Sequence, residues 1–492
     1  MTTPAEAVRD AIEGCHRAAA AARLQRWRDP SADEAPADGE YLEWLASDRV
    51  DEACAEALDT GEIDAEQHAW LGRHARAIKR DRHLAAARRR LRAALREATL
   101  PGGGPLRLAN ELGALALSDD PLHRAESGRA LERAMAPAAR RFVHAHIALE
   151  RVGAPKPGLD TGGIYGARTP AADAPAKKDA LVEHADAFLR DTADAAEDAV
   201  RWCVRGLGPG SPLPWHTLVR GLRARDLDAP QRARDRFRHA AGAFRRLGFE
   251  DDMNARMRAE VDRGGALPFA ALACMQVPRD VRVAHAGGDW GVVSDVCAAS
   301  GVGRALGIAL ALRTLPVELR WPLGGCVPGA FGVLASGLWA DRTHLTRVQG
   351  LTRPEAERVA RVAGAFVLLT ARFSTAVAVS RAAEVIDVDQ RMELLAGALR
   401  EALHCDVPPT LAGLFAADLD AARDRAHEQL AGLALAAGLR DRFDEDWFMN
   451  HRAQEPLRGA GQRGNTLSLD SWCEETGVTL ARAAPRAVEL VA

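Results

Sequence analysis

Residues 280–345 read DVRVAHAGGDWGVVSDVCAASGVGRALGIALALRTLPVELRWPLGGCVPGAFGVLASGLWADRTHL, and the fold follows from how this stretch is read. Leu267 to Val277 and Val281 to Ala286 are two short β-type runs around Pro278-Arg279-Asp280, which predicts a hairpin. A long apolar segment follows at once, holding Val292, Val293 and Val296 and then Gly301, Gly303 and Gly307. The glycines spell G-x-G-x-x-x-G, and Glu318 lies where a dinucleotide fold could use it for a ribose. That fold needs strands and helices alternating on both sides, whereas the rest of the chain carries the three-to-four spacing of helices. The expected class is therefore mainly α, a large helical body with a small β element just before the glycine-bearing helix.

Working outward, the first helix is expected over Pro4 to Arg28, with a polar break at Ser31 to Gly39. Glu66 to Leu100 is a long, basic helical pattern ended by Pro101-Gly102-Gly103-Gly104. Its arginines suggest an anionic partner or RNA. Flanking acidic segments and the lack of interleaved aromatics favour a solvated helix face. Helices from Pro105 to Glu150 include His144, His146 and Glu150; the last two share a helix face and could in principle hold a metal, but His144 cannot join them. Gly153 to Pro175 is rich in Gly, Pro and Asp, so a division into 1–152, a linker over 153–176 and 177–492 is expected. Helical periodicity resumes over Asp179 to Arg205 and Asp226 to Leu247.

Of 492 residues, 47% are hydrophobic and 27% charged, an ordinary globular balance. A net charge of −3 argues against a general nucleic-acid binder. The eight cysteines are scattered without a C-x-x-C pair, and the chain opens on no secretory pattern, which suggests a reduced cytoplasm. Apolar runs such as Val362 to Ala371 are broken by arginine before the length a membrane span needs, so no membrane is expected.

Three segments resemble the oligoendopeptidase and thimet-oligopeptidase family of zinc peptidases, gluzincins whose signature runs H-E-x-G-H-A-L-H, then a Glu and A-F-x-F-L, then L-x-A-D-P-x-W-L. Ser300-Gly301-Val302-Gly303-Arg304-Ala305-Leu306-Gly307 lies under the first, Pro328-Gly329-Ala330-Phe331 under the second and Leu338-Trp339-Ala340-Asp341 under the third, without a gap. Asp444-Glu445-Asp446-Trp447-Phe448-Met449-Asn450-His451-Arg452-Ala453, with Leu457-Arg458 beyond, resembles the family tail D-E-D-W-x-x-N-P-R-A, departing at Met449 and His451. The resemblance covers roughly Asp179 to the C-terminus and implies a helical body around a peptide-sized cleft.

It also implies that the chemistry is lost. Two histidines at i and i+4 share a helix face and hold one zinc ion while the Glu between them activates water. Ser300 and Arg304 stand at the histidine positions, Gly301 at the base position and Gly329 at the third ligand. Serine and glycine offer zinc nothing competitive, and a guanidinium repels it. The family's oxyanion donors are Tyr or His near the C-terminus. The two tyrosines here, Tyr41 and Tyr165, lie elsewhere, and His427 is the polar residue nearby. No metal and no cofactor are therefore expected. The expected function is an inactive peptidase homologue that binds short peptides or a protein partner through Ser300, Gly301, Arg304, Gly307 and Gly329. The alternatives are an enzyme of another class using His285, Asp289, Asp295 or Arg304, and an atypical peptidase with relocated ligands. Arg304 is expected to face the cleft and to meet Asp295, Asp289, Glu318 or a peptide carboxylate.

Overall fold

The computed structural model describes residues 3–29, 44–45, 47, 49–97, 108–153, 180–207, 212–228, 236–262, 270–286, 290–324, 327–381, 387–415 and 419–492. The polar break at Ser31 to Gly39, the Pro101 to Gly104 terminator and the Gly153 to Pro175 linker lie outside them, apart from Gly153 itself.

Helix α1 (Pro4–Arg28) begins where the sequence places it, because the Thr3 hydroxyl accepts from the Glu6 N–H while the Glu6 carboxylate accepts from the Thr3 N–H. Its first half buries Val8 and Ile12 with Val50 and Cys54 of α2 (Arg49–Asp59) and Leu71 and Ile78 of α3 (Ala65–Glu97). Its second half sets Leu24 and Trp27 against Ala273 and Ala284 of the sheet. One helix thus ties the N-terminal group to the body. Leu108–Leu117 and Pro121–Gly153 follow as two helices, and Asp179 to Arg205 resolves into Ala180–Asp191 and Ala193–Cys203.

The hairpin is present as β2 (Ala271–Gln276) antiparallel to β3 (Asp280–Ala286), with Ala271 opposite Ala284. A third strand, β1 (Met257–Asp262), runs parallel on the other side of β3 with Met257 opposite Val281, giving the order β1-β3-β2. Among the described residues there are three strands beside a helical body, which does not match the doubly wound dinucleotide fold. The chain is mainly α, as its periodicity predicts.

Helix α4 (Val292–Ala309) follows the sheet and is buried along most of its length. α5 (Val317–Arg320), α6 (Val327–Gly337), α7 (Arg353–Arg381), α8 (Leu419–Phe443) and α9 (Leu469–Glu475) complete the elements around the site. α4, α6 and α8 approach one another closely at glycines. A Cβ on Gly303 would lie 2.2 Å from the Phe331 carbonyl oxygen, one on Gly307 2.9 Å from Pro328 Cα, and one on Gly432 2.5 Å from Val333 Cβ. Gly303 and Gly307 of α4 serve backbone contact here, an approach no other residue permits. By length and composition α4 and α7 could cross a membrane, despite the arginines in α7. In the fold 83% and 78% of their most apolar windows are buried, so they are the core of the body.

Candidate functional site: the cleft over Arg304 and Glu428

A cleft of about 680 Å³ separates α1 and α3 from α4, α6, α8, β2 and residues 321–324. Its base is made by Arg304, Gly329 and Glu428. Arg304 Nη2 donates to Glu428 Oε2 at 2.5 Å, with the arginine side chain 36% exposed and the glutamate 4%. Glu428 reaches this point over Gly329: a Cβ there would stand 2.0 Å from Glu428 Cδ and 2.4 Å from Oε1. A Cβ on Gly332 would meet Arg304 Cγ at 2.7 Å and the Ser300 carbonyl oxygen at 3.0 Å. A carboxylate from α8 therefore occupies the space where a side chain at 329 would stand, and a guanidinium from α4 neutralises it.

Glu428, the carboxylate that meets Arg304 among the described residues, is one the sequence did not suggest. Glu318 is fully buried and bound by Arg9 of α1, whose Nη2 donates to Oε1 at 2.7 Å and Nε to Oε2 at 3.0 Å. Asp295 is buried in α4 with Arg236 Nε at 3.4 Å. Asp289 lies outside the described residues. His285 sits on β3 opposite Val261 and does not line the cleft. His427 turns away from its neighbour Glu428 and meets Asp470 Oδ1 of α9 at 2.9 Å. Nor do all five positions of the aligned site share the cleft. Arg304 and Gly329 line it, Ser300 is half-buried one turn before Arg304, Gly301 is pressed on Ala270 and Val283, and Gly307 on Pro328. The helix face carrying 300, 304 and 307 is narrower than assumed, because α6 covers its 307 end.

Higher in the cleft, Trp321 stacks on His16 with ring centroids 5.1 Å apart. His16 Nε2 lies 3.0 Å from His74 Nδ1, and His74 Nε2 lies 3.1 Å from the Glu318 carbonyl oxygen. Burial holds the His74 pKa down at about 4 and pushes that of His16 well below its ordinary value, so both rings are neutral at pH 7. Burial raises the thiol of Cys274, at the cleft wall, to about 12, which leaves no thiolate for nucleophilic attack there. Arg23, Arg80, Arg82 and Arg89 also line the cleft. Sequence reading assigned none of these arginines, nor Trp321 or Glu428, to a site.

A zinc ion at the aligned positions would find one serine hydroxyl, two glycines, an arginine and a carboxylate already held by that arginine. This donor set does not fit the ion. Among the described residues, no group of three or more His, Cys, Asp or Glu side chains could hold a metal. His144 is exposed while His146 is buried, and the side chain of Glu150 lies outside the described residues.

No protein-family model matches the sequence, and no curated protein matches it. Solved structures do match. The carboxypeptidase of Pyrococcus furiosus aligns over 99% of this chain and 98% of its own, with a TM-score of 0.55 and 10% identity. A putative oligoendopeptidase F from Bacillus anthracis aligns over 98% and 83%, at TM-score 0.54 and 12% identity. PZ peptidase A, solved with an inhibitor, aligns over 98% and 85%, at 0.56 and 10%. The chain therefore has the fold of the helical carboxypeptidases and oligoendopeptidases along its whole length, including the N-terminal helices the sequence resemblance left uncovered.

Proposed function

We propose that this protein is a non-hydrolysing member of that fold class, which binds short peptides or a peptide segment of a partner in the cleft. The observation that carries the reading is the Arg304–Glu428 pair seated over Gly329. At the three aligned ligand positions it leaves no set of donors for a metal and places a cation at one of them, while Gly301, at the aligned base position, has no side chain to activate water. The cleft itself remains open and of a size for a few residues of chain.

The test is a quenched-fluorescence peptide library incubated with the purified protein, with added zinc and with chelator, alongside calorimetry against the same peptides. Binding at micromolar affinity or weaker, with no turnover under any condition, supports the reading. Zinc-dependent turnover abolished by chelator overturns it, and so does the absence of binding to any peptide pool.

A further inference from the structure

From its sequence, α3 reads as a solvated basic helix. In the fold, part of this face borders the cleft: Arg80, Asp81, Arg82 and Arg89 stand along one wall, and Arg23 of α1 lines the cleft with them. Arg23 Nη1 donates to the Leu272 carbonyl oxygen at 3.3 Å, which keeps its charge at the edge of β2. Among the described residues the cleft is lined by five arginines, counting Arg304, and by two carboxylates, Asp81 and Glu428, the latter engaged by Arg304. The chain as a whole carries −3, so the positive charge is local to the cleft. Concave low-dielectric walls of one sign concentrate the field and attract counter-charge. Leu272, Ile308 and Trp321 supply an apolar surface in the same cleft.

We propose that the cleft recognises short acidic peptides, their carboxylates meeting the Arg23, Arg80, Arg82 and Arg89 wall while an apolar side chain rests against Trp321 and Ile308. This rests on the peptide-binding reading above and adds the ligand's chemical class. Guanidinium forks match carboxylates bidentately, and the described residues of the cleft lining include no lysine. A single-stranded nucleic acid suits the same charge less well. It needs successive aromatic platforms, and the described lining offers one indole with a face already on His16.

The full-length protein is titrated with three probes: a hexapeptide holding two glutamates beside a leucine, its glutamine twin, and a uridine hexanucleotide. The glutamate peptide is expected to bind about tenfold more tightly than its twin, a preference that narrows in high salt. Arg82→Glu combined with Arg89→Glu, both on the exposed side of the wall, should weaken the glutamate peptide about tenfold and leave the glutamine twin unchanged. Circular dichroism checks that the variant is folded. Equal binding of the twins, or charge reversal without effect, overturns the acidic preference while leaving peptide binding in place. Failure of both peptides to bind removes the peptide-binding reading and this inference together. Tighter binding of the hexanucleotide than of the glutamate peptide also overturns the inference.

Discussion

Gly329→Ala tests directly whether Glu428 fills the space of the missing side chain. The new Cβ would lie 2.0, 2.2 and 2.4 Å from Cδ, Cγ and Oε1 of Glu428. Real Cβ atoms do not tolerate such distances, so something must move, and the end of a long side chain moves more cheaply than backbone. Glu428 then swings off Arg304. Losing one partner of a buried pair costs about 3–5 kcal/mol. Arg304 is more than a third exposed, so water screens the pair and about 1–3 kcal/mol is the better range. Alanine returns up to about 1 kcal/mol of helix propensity, less here because residue 329 sits in the first turn of α6. The net expectation is a loss of about 1–2 kcal/mol. In a Glu428→Ala background the obstacle is gone, and the same substitution should be neutral or slightly stabilising. The assay is thermal unfolding of the four proteins of this cycle, where 1 kcal/mol corresponds to about 1 °C for one cooperative unit of this size. Equal destabilisation by Gly329→Ala in both backgrounds would refute the packing of Glu428 over Gly329.

Gly303→Ala should destabilise by about 2 kcal/mol or more, because its Cβ meets the Phe331 carbonyl at 2.2 Å and backbone cannot step aside. Gly397→Ala, in the helix Val388–Leu403 with nothing within 4 Å, should stabilise by about 0.5–1 kcal/mol in the same unfolding assay. Stability should fall on acidification. His74 and His216 are held at about 4 and His344 at about 3, chiefly by burial, against an ordinary value of 6.5. A histidine with a depressed folded pKa stabilises fully above the unfolded value and loses that contribution as pH drops toward the folded one. The loss therefore runs from pH 6.5 down to about 4 for the first two and about 3 for the third. Within that window each contributes a slope of up to about 1.4 kcal/mol per pH unit. His344→Gln should flatten the slope of the melting temperature with pH by one proton's worth, and an unchanged slope would remove His344 from the account.

Much of the fold was open to sequence reading because its signals are local. The Thr3-x-x-Glu6 box fixes the start of α1, and the alternating runs around Pro278 give the hairpin. β1 carried the same alternation, Met257, Ala259 and Val261 against Arg258, Glu260 and Asp262, but only six residues of it. Its partner is β3, reached across β2 in the sequence, so no short-range turn marks the pair. The glycines of α4 were visible, their purpose was not. A glycine in a helix reads as a weakness until its neighbours are known: α6 brings its backbone against Gly303 and Gly307, and Ala270 and Val283 bring side chains against Gly301.

The site shows the same division between local and distant signals. Ungapped comparison of 300–304 and 329 with a zinc motif directs attention to those positions alone. Glu428 cannot be seen that way, because it belongs to a helix 124 residues beyond Arg304 and to none of the motif positions. A buried carboxylate with no pattern around it looks like any helical glutamate. Physical reasoning still constrains the arrangement. Arg304 in a partly enclosed cleft requires a counter-charge, and the bare backbone at Gly329 leaves space for one to enter from α8. The two features belong together: a side chain at 329 would leave no room for Glu428, and without Arg304 the buried Glu428 would lose the guanidinium that faces it.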